Sequence, residues 1–226
     1  MPYEAADQDS AEVLEASITG QTFLYKGEKY TISLAGAYQK ENAVAALRAL
    51  EILNEQGYPT TLVQRQDGLK RTTWPGRFAL LGTEPDFVVD GAHNPAAADM
   101  LAASIERYFT GEELILIMGV FKDKEYEKIV QILCPSAKRV YTVDLPNKER
   151  TLPAEKLAEC VRDCMTEQMS VYAEKSIGDA VAKAYTYATE DSGKRAVIAC
   201  GSLSYLSEVI RCMEGCVQNP QRKERI

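Results

Sequence analysis

No Gly-x-x-x-x-Gly-Lys-Ser/Thr phosphate loop occurs in this sequence, and no Gly-x-Gly-x-x-Gly. Neither of the usual glycine-rich turns is therefore available to grip a triphosphate or a dinucleotide, and hydride transfer with a nicotinamide cofactor is a poor reading. The nearest echo, Gly193-Lys194, has Ala188 where the upstream glycine belongs and Arg195 where the hydroxyl residue belongs. Histidine and tryptophan occur once each, as His93 and Trp74. The six cysteines form no Cys-x-x-Cys pair and the one histidine lies apart from them, so a zinc knuckle is not expected. Cys160/Cys164 and Cys212/Cys216 are spaced to share a helix face and read as reduced thiols packed as small hydrophobes. No apolar run approaches the roughly 20 residues of a membrane span, and residues 1–17 are acidic, unlike a secretion signal. A cytoplasmic protein is expected. Positive charge is also in short supply. A formal charge of −7 argues against nucleic acid or an anionic membrane as partner, and the basic end Arg222–Arg225 reads as a solvated tail.

What the sequence does have is a regular alternation of strand and helix. Phe78–Leu81, Phe87–Asp90, Leu114–Met118, Arg139–Val143, Ser170–Tyr172 and Ala196–Cys200 read as strands. Pro95–Tyr108, Lys124–Leu133, Pro153–Met165, Ile177–Thr189 and Leu203–Met213 read as helices. After the first two strands the two types alternate strictly, which predicts an α/β fold: a doubly wound, mostly parallel, six-stranded sheet with one antiparallel hairpin. Upstream, Thr22–Tyr25 and Tyr30–Leu34 flank a Lys-Gly-Glu-Lys turn, and Asn42–Leu53 carries Val44, Leu47, Leu50 and Leu53 on one helical face. Residues 1–17 are expected to form a short helix or no regular structure. Residues 60–76, polar and carrying Gly68, Pro75 and Gly76, read as a linker. A hairpin and one helix fold poorly alone, so this first part reads as the edge of a larger domain.

Val88-Val89-Asp90-Gly91-Ala92-His93-Asn94-Pro95 is the centre of the pattern. Its β-branched pair suits a strand covered on both faces. Asn94 is a good N-cap, and Pro95 stands at the first helical position, where its missing N–H costs nothing. A loop leaving the carboxyl end of a parallel strand and opening a helix is where open α/β sheets bind ligands. Asp90 and His93 are thus candidate site residues. A helix cap competes for Asp90, and an ordinary satisfied histidine for His93. Asn42 has an N-cap as its bland reading, Arg77 a surface ion pair, and Ser202 the cap of the last helix. Trp74 is read as packing. Asp123-Lys124-Glu125 and Arg150 are left unassigned, because acidic residues at a helix start explain most of the former.

Asp90-Gly-Ala-His-Asn-Pro95, with Trp74-Pro-Gly-Arg77 before it, resembles the folylpolyglutamate synthase/dihydrofolate synthase family of the Mur ligase superfamily. The resemblance continues through Gly36-Ala-Tyr-Gln39, Asn42-Ala43 and Gly201-Ser-Leu203, with Tyr38 where the family often has histidine. It covers nearly the whole chain but only the second half of the family's enzyme. It implies an ATP- and magnesium-dependent ligase that joins L-glutamate to folate or dihydropteroate through an acyl phosphate. By that resemblance Asn42, Arg77 and Asp90 contact ATP, with Arg77 also aiding catalysis and Asp90 on the ribose. His93, as a binding and catalytic residue, and Ser202 hold glutamate. Magnesium ligands and the phosphate loop are expected in an amino-terminal ATPase domain outside this sequence. The domain reading is 1–62 as a remnant of that ATPase domain, 63–76 as linker and 77–226 as the glutamate-binding domain, a fragment or split gene inactive alone. Another Mur-type ligase acting on a peptidoglycan precursor, or a non-catalytic nucleotide-binding module, are the alternatives.

Overall fold

The structure, a computed structural model, describes residues 5–164, 169–190 and 193–218. The basic end 222–225 and Met165 lie outside these residues. The chain divides into two compact units, Met1–Arg77 and Phe78–Ile226.

The first unit is an antiparallel sheet of β1 (Ala11–Ser17), β2 (Gly20–Tyr25) and β3 (Glu28–Ile32), with helices α1 (Gln39–Glu55) and α2 (Leu62–Arg71). Phe23, Tyr25, Tyr30 and Ile32 from one sheet face and Ala43, Val44 and Leu47 from α1 form its core. Three expectations change here. The acidic start supplies a strand, β1, because β2 offers it a ladder to pair with; a bulge between Val13 and Glu15 hides the alternation in the sequence. The supposed linker is mostly α2, opened by a capping box in which Thr61 and Gln64 satisfy one another's backbone N–H. Helix α1 begins at Gln39, so Asn42 is not its N-cap; the Asn42 amide donates to Gln39 Oε1 at 3.0 Å.

The second unit is built on a six-stranded mixed sheet. Its strands are β4 (Ala79–Thr83), β5 (Asp86–Val89), β6 (Glu113–Met118), β7 (Ala137–Thr142), β8 (Ser170–Ala173) and β9 (Arg195–Cys200). They lie in the order β4-β5-β9-β6-β7-β8, antiparallel only between β4 and β5. Between them run α3 (Pro95–Tyr108), α4 (Tyr126–Leu133), α5 (Ala154–Arg162) and α6 (Ile177–Thr189), and α7 (Leu206–Gln218) ends the unit. The central strands are apolar at nearly every position because both faces are covered. Phe87, Val89, Ile115, Ile117, Val197 and Ala199 face α6 and α7. The alternate positions, among them Val88, Leu116, Met118, Val140 and Ile198, are equally buried. On that face Cys134, just after α4, packs its sulfur 3.5 Å from that of Met118, and Thr142 donates to the Ala154 carbonyl of α5. Each such side chain taken from water contributes about 1.5–3 kcal/mol, so this two-sided core dominates the unit's stability.

The chain winds outward from β5 through β6, β7 and β8, then returns to insert β9 between β5 and β6. That reversal is the topological switch point, and the loops leaving β5, β9 and β6 meet above it. None of the six cysteines is in a disulfide, and Cys134 and Cys200 are fully buried.

Candidate functional site

Asp90 directly follows β5 and is 2 % exposed. Its backbone N–H donates to Ala199 O of β9 at 2.9 Å, which holds it in the sheet. Its carboxylate is engaged on both oxygens. Phe78 N–H donates to Oδ2 and Ala92 N–H to Oδ1, each at 2.8 Å. The first bond fixes an unusual residue, since Phe78 has φ 45°, a left-handed conformation that a bulky side chain adopts only when surroundings enforce it. The rest of the enforcement is packing: the Phe78 ring is buried beside Tyr108 and Phe109, with centroids 5.6 and 6.3 Å away. Asp90 therefore clamps two segments, the entry to β4 and the loop that carries His93.

His93 stands three residues on, before α3, whose cap is as expected: Asn94 accepts from Ala97 N–H at 2.8 Å. Nδ1 of His93 lies 2.8 Å from Gly91 O. A carbonyl only accepts, so Nδ1 carries a hydrogen, and in the tautomer this bond selects Nε2 is the acceptor. Ser202 follows β9. Its hydroxyl accepts from Ser204 N–H, capping the single 3₁₀ turn Leu203–Tyr205 that leads into α7, and lies 2.9 Å from the Ser204 hydroxyl.

What fixes the Ser202 loop is underneath it. Gly201 has φ 104°, and a Cβ there would meet Gly119 O at 2.5 Å. The loops after β9 and β6 thus touch backbone to backbone. Tyr205, fully buried, shares its single hydroxyl proton between Ile117 O of β6 and Cys200 O of β9, at 2.9 and 2.7 Å. Burial pushes this phenol, and the neighbouring Cys200 thiol, well above their ordinary values, so both stay neutral. Tyr205→Phe keeps the ring and strands two carbonyls; it is expected to cost about 1–3 kcal/mol in urea unfolding.

His93 and Ser202 line one cleft of about 390 Å³, together with Phe121, Lys124, Arg150 and Ser204. The sequence reading left Lys124 and Arg150 unassigned and did not single out Phe121 or Ser204. Their signal was available, since Phe121 and Lys124 follow β6 and Arg150 follows β7, at the same end of the sheet as the recognised residues. Arg150 is held in place: its guanidinium donates to both Asp123 oxygens at 3.2 and 2.8 Å and lies 4.3 Å over the Phe121 ring. A backbone bridge from Phe121 to Thr151 joins the two loops. The hydrogen bond from Arg150 keeps the Asp123 carboxyl below its ordinary range. The cleft offers hydroxyls, an imidazole acceptor and ammonium and guanidinium groups, which is chemistry for a small anionic ligand.

Arg77 and Asn42 belong to the first unit. Arg77 ends it, half-buried after the Pro75-Gly76 turn, with Gly76 at φ 80° and no ion-pair partner among the described residues. Among the described residues no group of three His, Cys, Asp or Glu is placed to hold a metal ion. No helix among them is long and apolar enough to cross a membrane.

A mostly parallel sheet with a cleft over its switch point, carrying a histidine, two serines and two cationic side chains, defines a doubly wound α/β domain with a candidate ligand site. The family described as "Mur ligase, glutamate ligase domain" matches residues 76–203, more than half the chain, and the chain belongs to it. Its relatives include folylpolyglutamate synthase of Lacticaseibacillus casei, 31% identical over 140 residues, which are 59% of this chain and 32% of that one. Dihydrofolate synthase/folylpolyglutamate synthase of Bacillus subtilis is 30% identical over 125 residues, 53% of this chain and 29% of the relative. Among solved structures, Mycobacterium tuberculosis folylpolyglutamate synthase complexed with ADP has a TM-score of 0.73 at 25% identity, over 92% of this chain and 47% of that one. The Thermotoga maritima folylpolyglutamate synthase has a TM-score of 0.66, also at 25% identity, over 89% and 46%. The chain thus spans less than half the length of each of these relatives.

Proposed function

We propose that this chain is the glutamate-binding part of an ATP-dependent amide ligase of the folylpolyglutamate synthase/dihydrofolate synthase type. The observation that carries the reading is the convergence of His93, Ser202 and Ser204 on one cleft above β5, β9 and β6. Units 1 and 2 then correspond to the tail of an ATPase domain and to the glutamate domain. The phosphate loop and magnesium ligands belong to a segment outside this sequence, and the acceptor, a folate or dihydropteroate, binds chiefly there.

In such a ligase ATP supplies the phosphoryl group that turns the acceptor's carboxylate into an acyl phosphate. The residues of this chain serve the second step, attack by the amine. The Nε2 acceptor of His93 suits the ammonium of L-glutamate, holding it by a hydrogen bond and taking up the proton as the amine attacks. The Ser202 and Ser204 hydroxyls suit a carboxylate of the same molecule. Holding the amine against the activated carbonyl gains rate by position, as the new C–N bond forms and phosphate leaves. Arg77, with no ion pair among the described residues, fits the spread charge of a phosphate chain, and Asn42, exposed on the first turns of α1, fits a contact on the base side. Asp90, directly after β5, holds the His93 loop through its two backbone hydrogen bonds and retains acceptor capacity for the ribose contact that the family resemblance implies.

The test is binding of L-glutamate to the 226-residue chain, monitored as shifts in two-dimensional NMR. Resonances of the loops after β5 and β9 should move, and His93→Ala and Ser202→Ala should each weaken binding roughly tenfold. Turnover of ATP, glutamate and a pteroyl acceptor by this chain alone would contradict the reading, as would tight ATP binding without a phosphate loop.

A further inference from the structure

We propose that the outer edge of β8 is a docking edge for an extended acidic segment of another protein, added to the sheet as a further strand. β8 ends the sheet and is hydrogen-bonded only to β7. Just past it, Glu174 N–H donates to Thr142 O of β7 at 2.9 Å. Backbone groups alternate in direction along a strand, so those of Ser170 and Tyr172 also face β7, and those of Val171 and Ala173 face outward. The outward groups meet no backbone partner among the described residues. Sheet edges are commonly closed by proline, a charged side chain or a bulge, and Ser170-Val-Tyr-Ala173 has none of the three.

The charge beside this edge sets the kind of partner. Arg139 of β7 lies 3.4 Å over the Tyr187 ring of α6 and 5.4 Å from the Tyr172 ring of β8, and donates to Tyr141 Oη at 3.3 Å. The groups that act on its charge are these three tyrosines, and no carboxylate pairs with it among the described residues. The contrast is Arg195, on the same Tyr187 ring, which Glu113 neutralises at 2.9 Å. Glu174, the carboxylate just past β8, is taken by Lys183 at 2.7 Å. A bare guanidinium thus stands one strand in from an open edge, in a chain of formal charge −7. A strand added beyond β8 would send alternate side chains across Tyr172, which is 40 % exposed, toward Arg139. An acidic side chain there gains a charge-assisted hydrogen bond from a group its stacking already holds in place. The side chains between them meet Val171, half-buried and apolar, on the other face. Only two residues offer outward groups, so the affinity should be weak, with Kd on the order of 100 µM.

The experiment titrates the full chain with a fluorescently labelled peptide alternating glutamate and valine, and with its lysine–valine counterpart, by fluorescence anisotropy. The glutamate peptide should bind at least roughly tenfold more tightly than the lysine peptide. Amide hydrogen exchange followed by two-dimensional NMR should show Val171 and Ala173 protected once the glutamate peptide is added. Arg139→Gln should weaken that binding roughly tenfold. Ala173→Pro removes an outward N–H, leaves the bonds to β7 in place and should weaken binding at least as much. Circular dichroism checks that both variants keep the fold; should the proline variant lose it, the exchange result and Arg139→Gln decide. Equal binding of the two peptides, unchanged binding by folded Ala173→Pro, or no added protection at Val171 and Ala173 would each overturn the proposal. So would self-association of the peptide-free chain that Ala173→Pro abolishes, because a second copy would then occupy the edge.

Discussion

Asp90→Ala should destabilise the second unit by about 3–5 kcal/mol, one of the two largest single-residue effects expected in this chain. The substitution removes no great volume. It removes the acceptor for two buried N–H groups, those of Phe78 and Ala92, and each such group left unpaired costs about 1–3 kcal/mol. The Phe78 bond does more than satisfy a donor. It stabilises a left-handed backbone at φ 45°, whose intrinsic cost is of order 1–3 kcal/mol. Once the clamp is gone, that residue is free to relax and to drag its ring from between Tyr108 and Phe109. Asp90→Asn separates the causes, because the amide retains one acceptor oxygen but turns an NH₂ group toward the other donor. Its loss should fall between the wild type and the alanine variant. Urea unfolding by circular dichroism reads both. A loss under about 1 kcal/mol for Asp90→Ala would mean the two N–H groups find other partners.

Such a role was not legible in the sequence, and the reason is geometric. A strand-end carboxylate before a glycine turn advertises a ligand contact or a helix cap. Nothing local reveals that the antiparallel neighbour's first N–H arrives at its oxygen, since Phe78 lies 12 residues away. By contrast, the strands and α3 were readable because their causes are local. Valine pairs buried on both faces, and Asn94 with Pro95, fix β5 and the start of α3 within a few residues. The family wording around His93 and Ser202 was equally local, and those two side chains do share a cleft.

Two misreadings in the first unit have different origins. Strand β1 gains its structure from pairing with β2, and its bulge leaves Leu14 and Glu15 both exposed, so no two-residue period survives. Helix α2 had a readable signal, Thr61 with Gln64 three residues on, but it buries no residue fully and carries Gly68. With no apolar stripe to see, the capping box alone did not outweigh the polar composition. Lys124 and Arg150 escaped for another reason. Charged residues at the head of a helix have an ordinary explanation, and only the sheet order brings the loops after β6 and β7 beside the loop after β9.

Gly201→Ala is the other large effect, and it tests whether the Ser202 loop is positioned by close backbone approach. A Cβ at this position would lie 2.5 Å from Gly119 O and 2.9 Å from a Val120 methyl. The first obstacle is backbone and cannot rotate away. The only relief is to part the loops after β6 and β9, which Tyr205 holds together through Ile117 O and Cys200 O. With the φ of 104° added, the expected cost is about 2–4 kcal/mol. Glutamate binding by the folded fraction should also fall, roughly tenfold, because Ser202 moves with residue 201. Gly119→Ala is the control across the same contact. Its Cβ would meet the end of the Leu145 side chain at 2.6 Å, a group able to turn aside, while the nearest backbone oxygen is 3.3 Å away. That variant should cost less and leave the glutamate affinity closer to wild type. Equal losses for the two alanines would show that the loop tolerates separation, and that Ser202 is placed by its own hydrogen bonds to Ser204 instead.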